Sequence, residues 1–272
     1  PVLDDRARTF EEFVNASNEC ENLLEQLRDP IAEVTEKPKR SIEEASEDLK
    51  KLSETSNLIN VLNGNIGNLQ QLSELLNPLE SAYSTVRFID VDAEQTQKQY
   101  DQVLSDIDSE IQDEKVLKDS ADLVAKEIAS ITAAHLGPDA AVTDPTVLDQ
   151  IQQHQIPALK AQVNLLKDKI VDAAATRKHV APDTVNINQL ADQLDSLEKQ
   201  LDDAKQAADQ AEKEKLILLL TLKLEQFQAS PVADLKPEEL TALEKNLNEL
   251  PSDVADQIKS KIEQLRQAKK DH

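Results

Sequence analysis

The chain has 272 residues, with 53 acidic side chains against 30 basic ones and a formal net charge of −23. A surface this acidic repels phosphate backbones, which argues against a nucleic-acid partner, and it keeps long molecules apart in solution. Three glycines, no tryptophan and only six aromatic side chains leave few turns and few ring-filled cores, and no stretch alternates as a strand would, so a β-rich fold is excluded too.

The first periodic segment covers residues 2 to 34. Leu3, Phe10, Ser17, Leu24 and Ile31 recur every seven residues, interleaved with Phe13, Cys20, Leu27 and Val34, a heptad seam along one helix. Pro30 lies inside it and predicts an end or kink near Asp29, because proline lacks the N–H that a helix uses. Cys20 is the lone cysteine, so no internal disulfide forms. On the seam, between Glu19 and Glu21, it reads as a small hydrophobe rather than a reactive thiol. "TEKPKR" is a loop, and Ser41 with Glu44 spells a capping box for the next helix.

That second helix runs through Ala45, Leu49, Leu52, Ile59, Leu62, Ile66, Leu69, Leu76, Leu79, Tyr83 and Val86 to about Phe88, with a break expected at Gly64, Gly67 or Pro78. "DVDAEQ" then restarts a helix, Asp92 serving as N-cap and Gln95 answering it. Tyr100, Leu104, Ile107, Ile111, Leu117, Val124, Ile128 and Ile131 carry it to His135, where Gly137 and Pro138 stop it.

Asp144 caps the next helix, with Pro145 in its first position. Its seam is Ile156, Leu159, Val163, Leu166, Ile170 and Ala173, and Pro157 predicts a kink. "HVAPD" turns the chain. In "VNINQLADQLDSLEKQLDDAKQAADQA", Ile187, Leu190, Leu194, Leu197, Leu201, Ala204, Ala208 and Ala211 fall at spacings of three and four, and the helix continues to about Ala229. Pro237, Glu238 and Glu239 open a last helix through Leu240, Leu243, Leu247 and Leu250. It breaks at Pro251 and resumes through Val254, Ile258, Ile262 and Leu265.

One apolar stripe per helix, with short connections, predicts an all-α fold of two tandem antiparallel three-helix bundles in an elongated rod, residues 1–136 and 143–272. The connection over 137 to 144 is expected to be short, packed and bent. Ala140, Ala141 and Val142 are apolar, where a free linker would be rich in glycine and serine.

Few residues suggest chemistry. Asp90, Asp92 and Glu94 occupy the first, third and fifth positions of a calcium loop, but Gln95 stands where the turn needs glycine and Asp101 where a bidentate glutamate belongs. Helix capping explains the same acids. His135, His154, His179 and His272 share no metal spacing with one another or with Cys20. Lys259, Lys261, Arg266, Lys269 and Lys270 complement the dipole at a helix C-terminus. No catalytic, cofactor-binding or metal residue is assigned, and no enzymatic activity is expected. The apolar run "LILLLTLKL", Leu216 to Leu224, is less than half the ~20 residues of a membrane span and reads as a segment buried on several faces. Its excess of leucine leaves a second reading open, a surface for a partner helix or a second copy through Leu216, Ile217, Leu219 and Leu220. With no methionine anywhere and proline in first place, the chain reads as part of a longer polypeptide.

The stretches "FEEFVNASNECENLLEQL", "SEDLKKLSETSNLINVLN" and "AEQTQKQYDQVLSDIDSEI" resemble the first, second and third helices of the spectrin-repeat family, with Phe10 and Phe13 where that family places a tryptophan. Tryptophan-free and divergent, they look most like the repeats of giant nesprin-type linkers between actin and the nuclear envelope. The resemblance implies a cytoplasmic, cytoskeletal and nuclear-envelope-associated spacer. It would be a monomeric segment carrying tension between terminal protein-binding modules, without cofactor.

Overall fold

A computed structural model describes residues 2–137, 144–229, 236–250 and 252–270. Among them the regular structure is helical, with one isolated parallel bridge between Arg40 and Val180. The helices are α1 (Val2–Glu36), α2 (Ile42–Glu54), α3 (Ser56–Leu75), α4 (Glu80–His135), α5 (Pro145–Gln150), α6 (Ile156–Thr176), α7 (Thr184–Ala229), α8 (Pro237–Lys245) and α9 (Ser252–Lys270).

Packing divides the chain into two compact units, Pro1–Ala125 with Ala161–Ala191, and Lys126–Lys160 with Asp192–His272. Their bounds differ from the 1–136 and 143–272 read from the punctuation. A boundary at a turn presupposes that helices end where units end, whereas α4, α6 and α7 each lend residues to both. The expected bent connection falls on residues 138–143, which lie outside the described residues. Gly137 is needed by contact: a Cβ there would sit 2.9 Å from the Ala133 carbonyl oxygen. Its φ is not positive, so no left-handed cap is involved.

In the first unit, α1, α2, α3 and α4 enclose a core running from Phe13, Cys20, Leu24 and Leu27 through Leu52, Leu62 and Leu69 to Ile89, Tyr100, Ile107 and Ile111. Cys20 is completely buried on the seam. Phe13 is buried too, whereas Phe10 is 48% exposed, so only one of the two phenylalanines does the packing work of an aromatic anchor. Burial also decides the fate of Pro30. Leu27, Ile31 and Val34 are all buried around it, and α1 runs on through the proline to Glu36. Burying those side chains contributes about 1.5–3 kcal/mol each, which outweighs the ~3 kcal/mol of an interior proline.

Of the three expected break points, Pro78 is the one at which the helix is interrupted. Gly64 and Gly67 sit inside α3 with open space around them, and the chain turns between α3 and α4 over residues 76–79 at Pro78. A second break separates α2 from α3 at Thr55. There the Leu52 carbonyl accepts from the Thr55 hydroxyl at 2.7 Å and from the buried Tyr100 hydroxyl of α4 at 2.6 Å. "DVDAEQ" starts no helix. It lies in the interior of the 56-residue α4, and the Asp92 carboxylate, not a cap, pairs with Arg28 of α1. The capping-box reading of Asp92 and Gln95 fails because Ala82, Val86, Ile89 and Ala93 continue the buried seam straight through it.

Several local signals are present as expected. Ser41 Oγ accepts from the Glu44 N–H and the Ser41 N–H donates to Glu44, while Asp144 accepts from the Thr146 N–H with Pro145 in the first turn. Before Pro157 the helix widens into one π turn, Ile151–Gln155, closed by the Ile156 N–H on the Ile151 carbonyl. A proline ring clashes with the carbonyl four residues earlier, and a wide turn displaces that carbonyl.

In the second unit, Leu148, Ile151, Ile156 and Leu159 are buried, as are Leu194, Leu197, Leu201 and Ala208 of α7. Lys160–Glu198 at 2.7 Å, Lys205–Asp149 and Gln152–Asp202 tie these two strips together at their rim. A separate leucine core joins Leu220 and Leu224 of α7 to Leu240, Leu243, Leu247, Leu250, Ile258 and Ile262. The last helical segment is interrupted as the sequence suggested, α8 passing through a 3-10 turn at Asn246–Glu249 before α9; Pro251 itself lies outside the described residues.

Candidate functional site

Two loops of the first unit, read from sequence only as turns, build its most elaborate polar structure. The loop 37–41 joins α1 to α2, and the loop 177–183 joins α6 to α7. Their backbones pair, the Arg40 N–H donating to the His179 carbonyl at 3.0 Å and the Ala181 N–H to the Arg40 carbonyl at 2.8 Å. Lys39 Nζ donates to the Ala174 carbonyl. Val180, fully buried, drops into the aliphatic core beside Ile107 and Ile111.

One face of α4 receives the second loop. Asp106, Glu110 and Glu114 stand at intervals of four, so all three carboxylates share that face. Like charges at this spacing repel by a few tenths of a kcal/mol per pair, and the loop supplies the compensation. Glu110 accepts from three consecutive backbone N–H groups, Lys178, His179 and Val180, each at 2.8 Å, the concave arrangement that binds anions. Glu114 holds Arg177 Nη1 at 2.5 Å with one oxygen and accepts from the Asp183 N–H at 2.8 Å with the other. Asp106 pairs with Lys178 Nζ at 3.1 Å.

A second ion pair lies behind the first loop. Arg40 Nε is 2.5 Å from Asp48 Oδ2 of α2, and Lys37 Nζ is 3.0 Å from the other oxygen. Arg40 Nη1 also reaches the Val34 carbonyl at 3.3 Å. The side chains of Arg40, Asp48, Arg177 and Glu114 are all under a tenth exposed. Deep pairs of this kind gain little net stability, but removing one partner strands a buried charge at about 3–5 kcal/mol.

Charge states follow. Burial holds the His179 imidazole below its ordinary value of 6.5; Glu110 and Asp106 pull upward, Arg40 and Lys178 downward, and the balance favours neutral imidazole. Among the described residues its Nδ1 has no hydrogen-bond partner. For Asp106 burial pushes upward, yet hydrogen bonds from Lys178 and Gln102 prevail and leave the carboxyl below its usual range. Hydrogen bonds to Asp48 and Glu33 raise Lys37. Beside this junction an open groove of about 920 Å³ runs between α1 and α4, lined by Ile31, Thr35, Val103, Asp106 and His179 among others. The cations on its rim are already engaged, Arg28 with Asp92, Lys98 with Glu94 and Lys178 with Asp106. The arrangement fastens a loop to a helix.

The residues weighed from sequence do not converge here, His179 excepted. Asp90, Asp92 and Glu94 lie within α4, where Asp92 pairs with Arg28 and Glu94 with Lys98 at 2.7 Å. Among the described residues no group of three or more His, Cys, Asp or Glu side chains is placed to hold a metal ion. His154 lies exposed in the π turn, His135 ends α4, and His272 lies outside the described residues. Cys20 is shielded, its thiol pushed up by burial and then by Glu19 and Glu21. Arg266 of the terminal basic cluster grips Glu244 of α8 with both nitrogens at 2.8 Å. Of "LILLLTLKL", Leu220 and Leu224 are buried and Leu216 and Ile217 partly so, while Leu218, Leu219 and Leu222 are exposed. The run is therefore buried on one face, not several. Arg40, Asp48, Glu110, Glu114 and Arg177 were not singled out from sequence. The carboxylate ladder at 106, 110 and 114 was a signal, lost in a chain where acids occur everywhere.

Comparison with known proteins supplies the context. Residues 1–112 match the family of spectrin-like repeats of nuclear anchorage protein 1. That match ends beside Ile111, the last α4 residue of the first core. Over 271 residues, 99% of its length, the chain is 45% identical to nuclear anchorage protein 1 of Caenorhabditis elegans, of which it spans 3%. No solved structure matches the chain.

Proposed function

We propose, from the match of residues 1–112 to the spectrin-like repeats of nuclear anchorage protein 1, that the chain is a spacer segment of a long cytoplasmic linker between cytoskeleton and nucleus. In this reading it transmits tension between binding modules elsewhere in the polypeptide and performs no catalysis. The observation that carries it is α4. One helix of 56 residues presents a buried aliphatic seam on one side and, through Asp106, Glu110 and Glu114, fastens a distant loop. Force along such a helix must shear core contacts and break charge-assisted hydrogen bonds together before the segment lengthens.

Single-molecule stretching tests the proposal. Tethered at its two ends, the protein should extend in discrete unfolding steps, and Arg177→Ala should lower the force of the step that releases the first unit. Smooth lengthening with no resisting step would overturn the mechanical role. Solution scattering tests the spacer geometry separately. A radius of gyration near the ~19 Å expected for a compact globule of this length would sink it.

A further inference from the structure

We propose that the second half of α7 is a self-complementary docking face, on which two copies of this chain pair side by side and antiparallel. This goes beyond the spacer role and does not depend on it. Leu220 and Leu224 point into the leucine core with α8 and α9, as Leu216 and Ile217 partly do. Leu218, Leu219 and Leu222 point away from it and are 59%, 49% and 46% exposed. At 100° per residue these three leucines span one arc of the helix opposite the buried side, an uncovered second stripe. Single exposed leucines need no explanation, but three contiguous ones on one helix face do.

Charge decides which occupant fits. Residues 213–272 contain ten basic and eleven acidic side chains, net −1, which leaves −22 of the chain's −23 to residues 1–212. The stripe thus lies in a stretch where a second copy of this acidic protein meets little net repulsion. Charges of both signs flank it, Lys213, Glu214 and Lys215 before the leucines and Lys223 and Glu225 after them. The groove beside Leu216 and Leu219 is walled by Asp209, Glu212, Lys213 and Lys215.

A two-fold axis through the stripe sets Leu219 against the partner's Leu222 and Leu222 against the partner's Leu219, as an isologous contact requires. Lys215, four residues before Leu219, then reaches the level of the partner's Glu225, three residues beyond Leu222. Parallel pairing would set lysine on lysine instead. The surface differs from the one read from sequence, because Leu220 is buried and only Leu219 of the four residues named there faces outward. Three leucines bury far less than a permanent dimer does, so the pair is a weak one, formed at high local concentration.

Sedimentation equilibrium on the whole 272-residue protein decides it. The average mass should climb from 30.2 kDa toward twice that value as the protein approaches roughly 100 µM to 1 mM, the range of a small interface. The double variant Leu219→Lys/Leu222→Lys alters only exposed positions and should stay at 30.2 kDa throughout, with its thermal melt unchanged. Lys215→Glu should weaken pairing at least several-fold, and Lys215→Glu/Glu225→Lys should restore it. A protein that remains monomeric at every concentration overturns the proposal. So does a double variant that associates as the parent does, since the contact then lies elsewhere. Failure of the charge swap to restore pairing overturns the antiparallel register.

Discussion

Around Arg40 and Arg177 the chain buries two guanidinium–carboxylate pairs and threads a loop across three carboxylates. Where α7 meets α8 and α9 it buries leucine and isoleucine almost alone, and its ion pair, Arg266 with Glu244, stays at the rim about a third exposed. Apolar burial is non-directional, so a leucine core tolerates small changes of register at modest loss. A buried charge is stable only if each donor meets its acceptor. The first region therefore selects one alignment of loop and helix, while the second supplies cohesion with less geometric demand and leaves leucines over for other contacts.

The sharpest way to break that contrast is Arg177→Ala. It strands Glu114 and should destabilise the first unit by about 3–5 kcal/mol in urea unfolding at neutral pH. A loss under about 1 kcal/mol would mean the pair behaves like a surface one. In the leucine core, Leu243→Ala should cost about 2–4 kcal/mol, the transfer and cavity terms of a buried leucine. That loss should be indifferent to pH and salt.

Acid should separate the two regions next. His179 is held below 6.5 in the folded chain, so above that pH both states carry it neutral and its full contribution is present. As pH falls through 6.5 the unfolded chain takes the proton first, and stability declines until the folded imidazole is also charged. Asp106, held low as well, adds a second decline as pH falls below 3.8. Urea midpoints measured between about pH 7 and 5 should drop for the parent and stay flatter for His179→Gln. Equal slopes would remove His179 from the junction's energetics. The smallest effect belongs to Arg266→Ala, expected at or below about 1 kcal/mol and fading in high salt, because its pair is about a third exposed.

How much was legible in the sequence can be read from single residues. Heptad spacing named Leu24, Leu27, Leu194, Leu197 and Leu201 as core, and each is buried. Ser41 and Asp144 were correct caps because a cap depends on its own neighbours two or three residues away. Asp92 looked the same by that local rule and failed, since Ile89 and Ala93 bury a continuous seam across it. Pro30 failed as a stop for the same reason, with Leu27, Ile31 and Val34 held in the core around it. The junction was out of reach. Arg177 and Glu114 lie 63 residues apart, and nothing in either neighbourhood marks the other.

By itself the sequence determined that this protein is helical, which stripe of each helix is apolar, and that charge outside those stripes is overwhelmingly negative. Those properties follow from contacts within a turn or two, where period and propensity act directly. Tertiary structure alone decided which helices run unbroken, which acids of an acid-rich surface are buried with partners, and which leucines of Leu216 to Leu224 were left exposed. Such outcomes depend on what a distant segment brings to the same place. A carboxylate on α4 becomes a clamp only when the loop at 177–183 arrives with its N–H groups and Arg177, and no local pattern encodes that arrival.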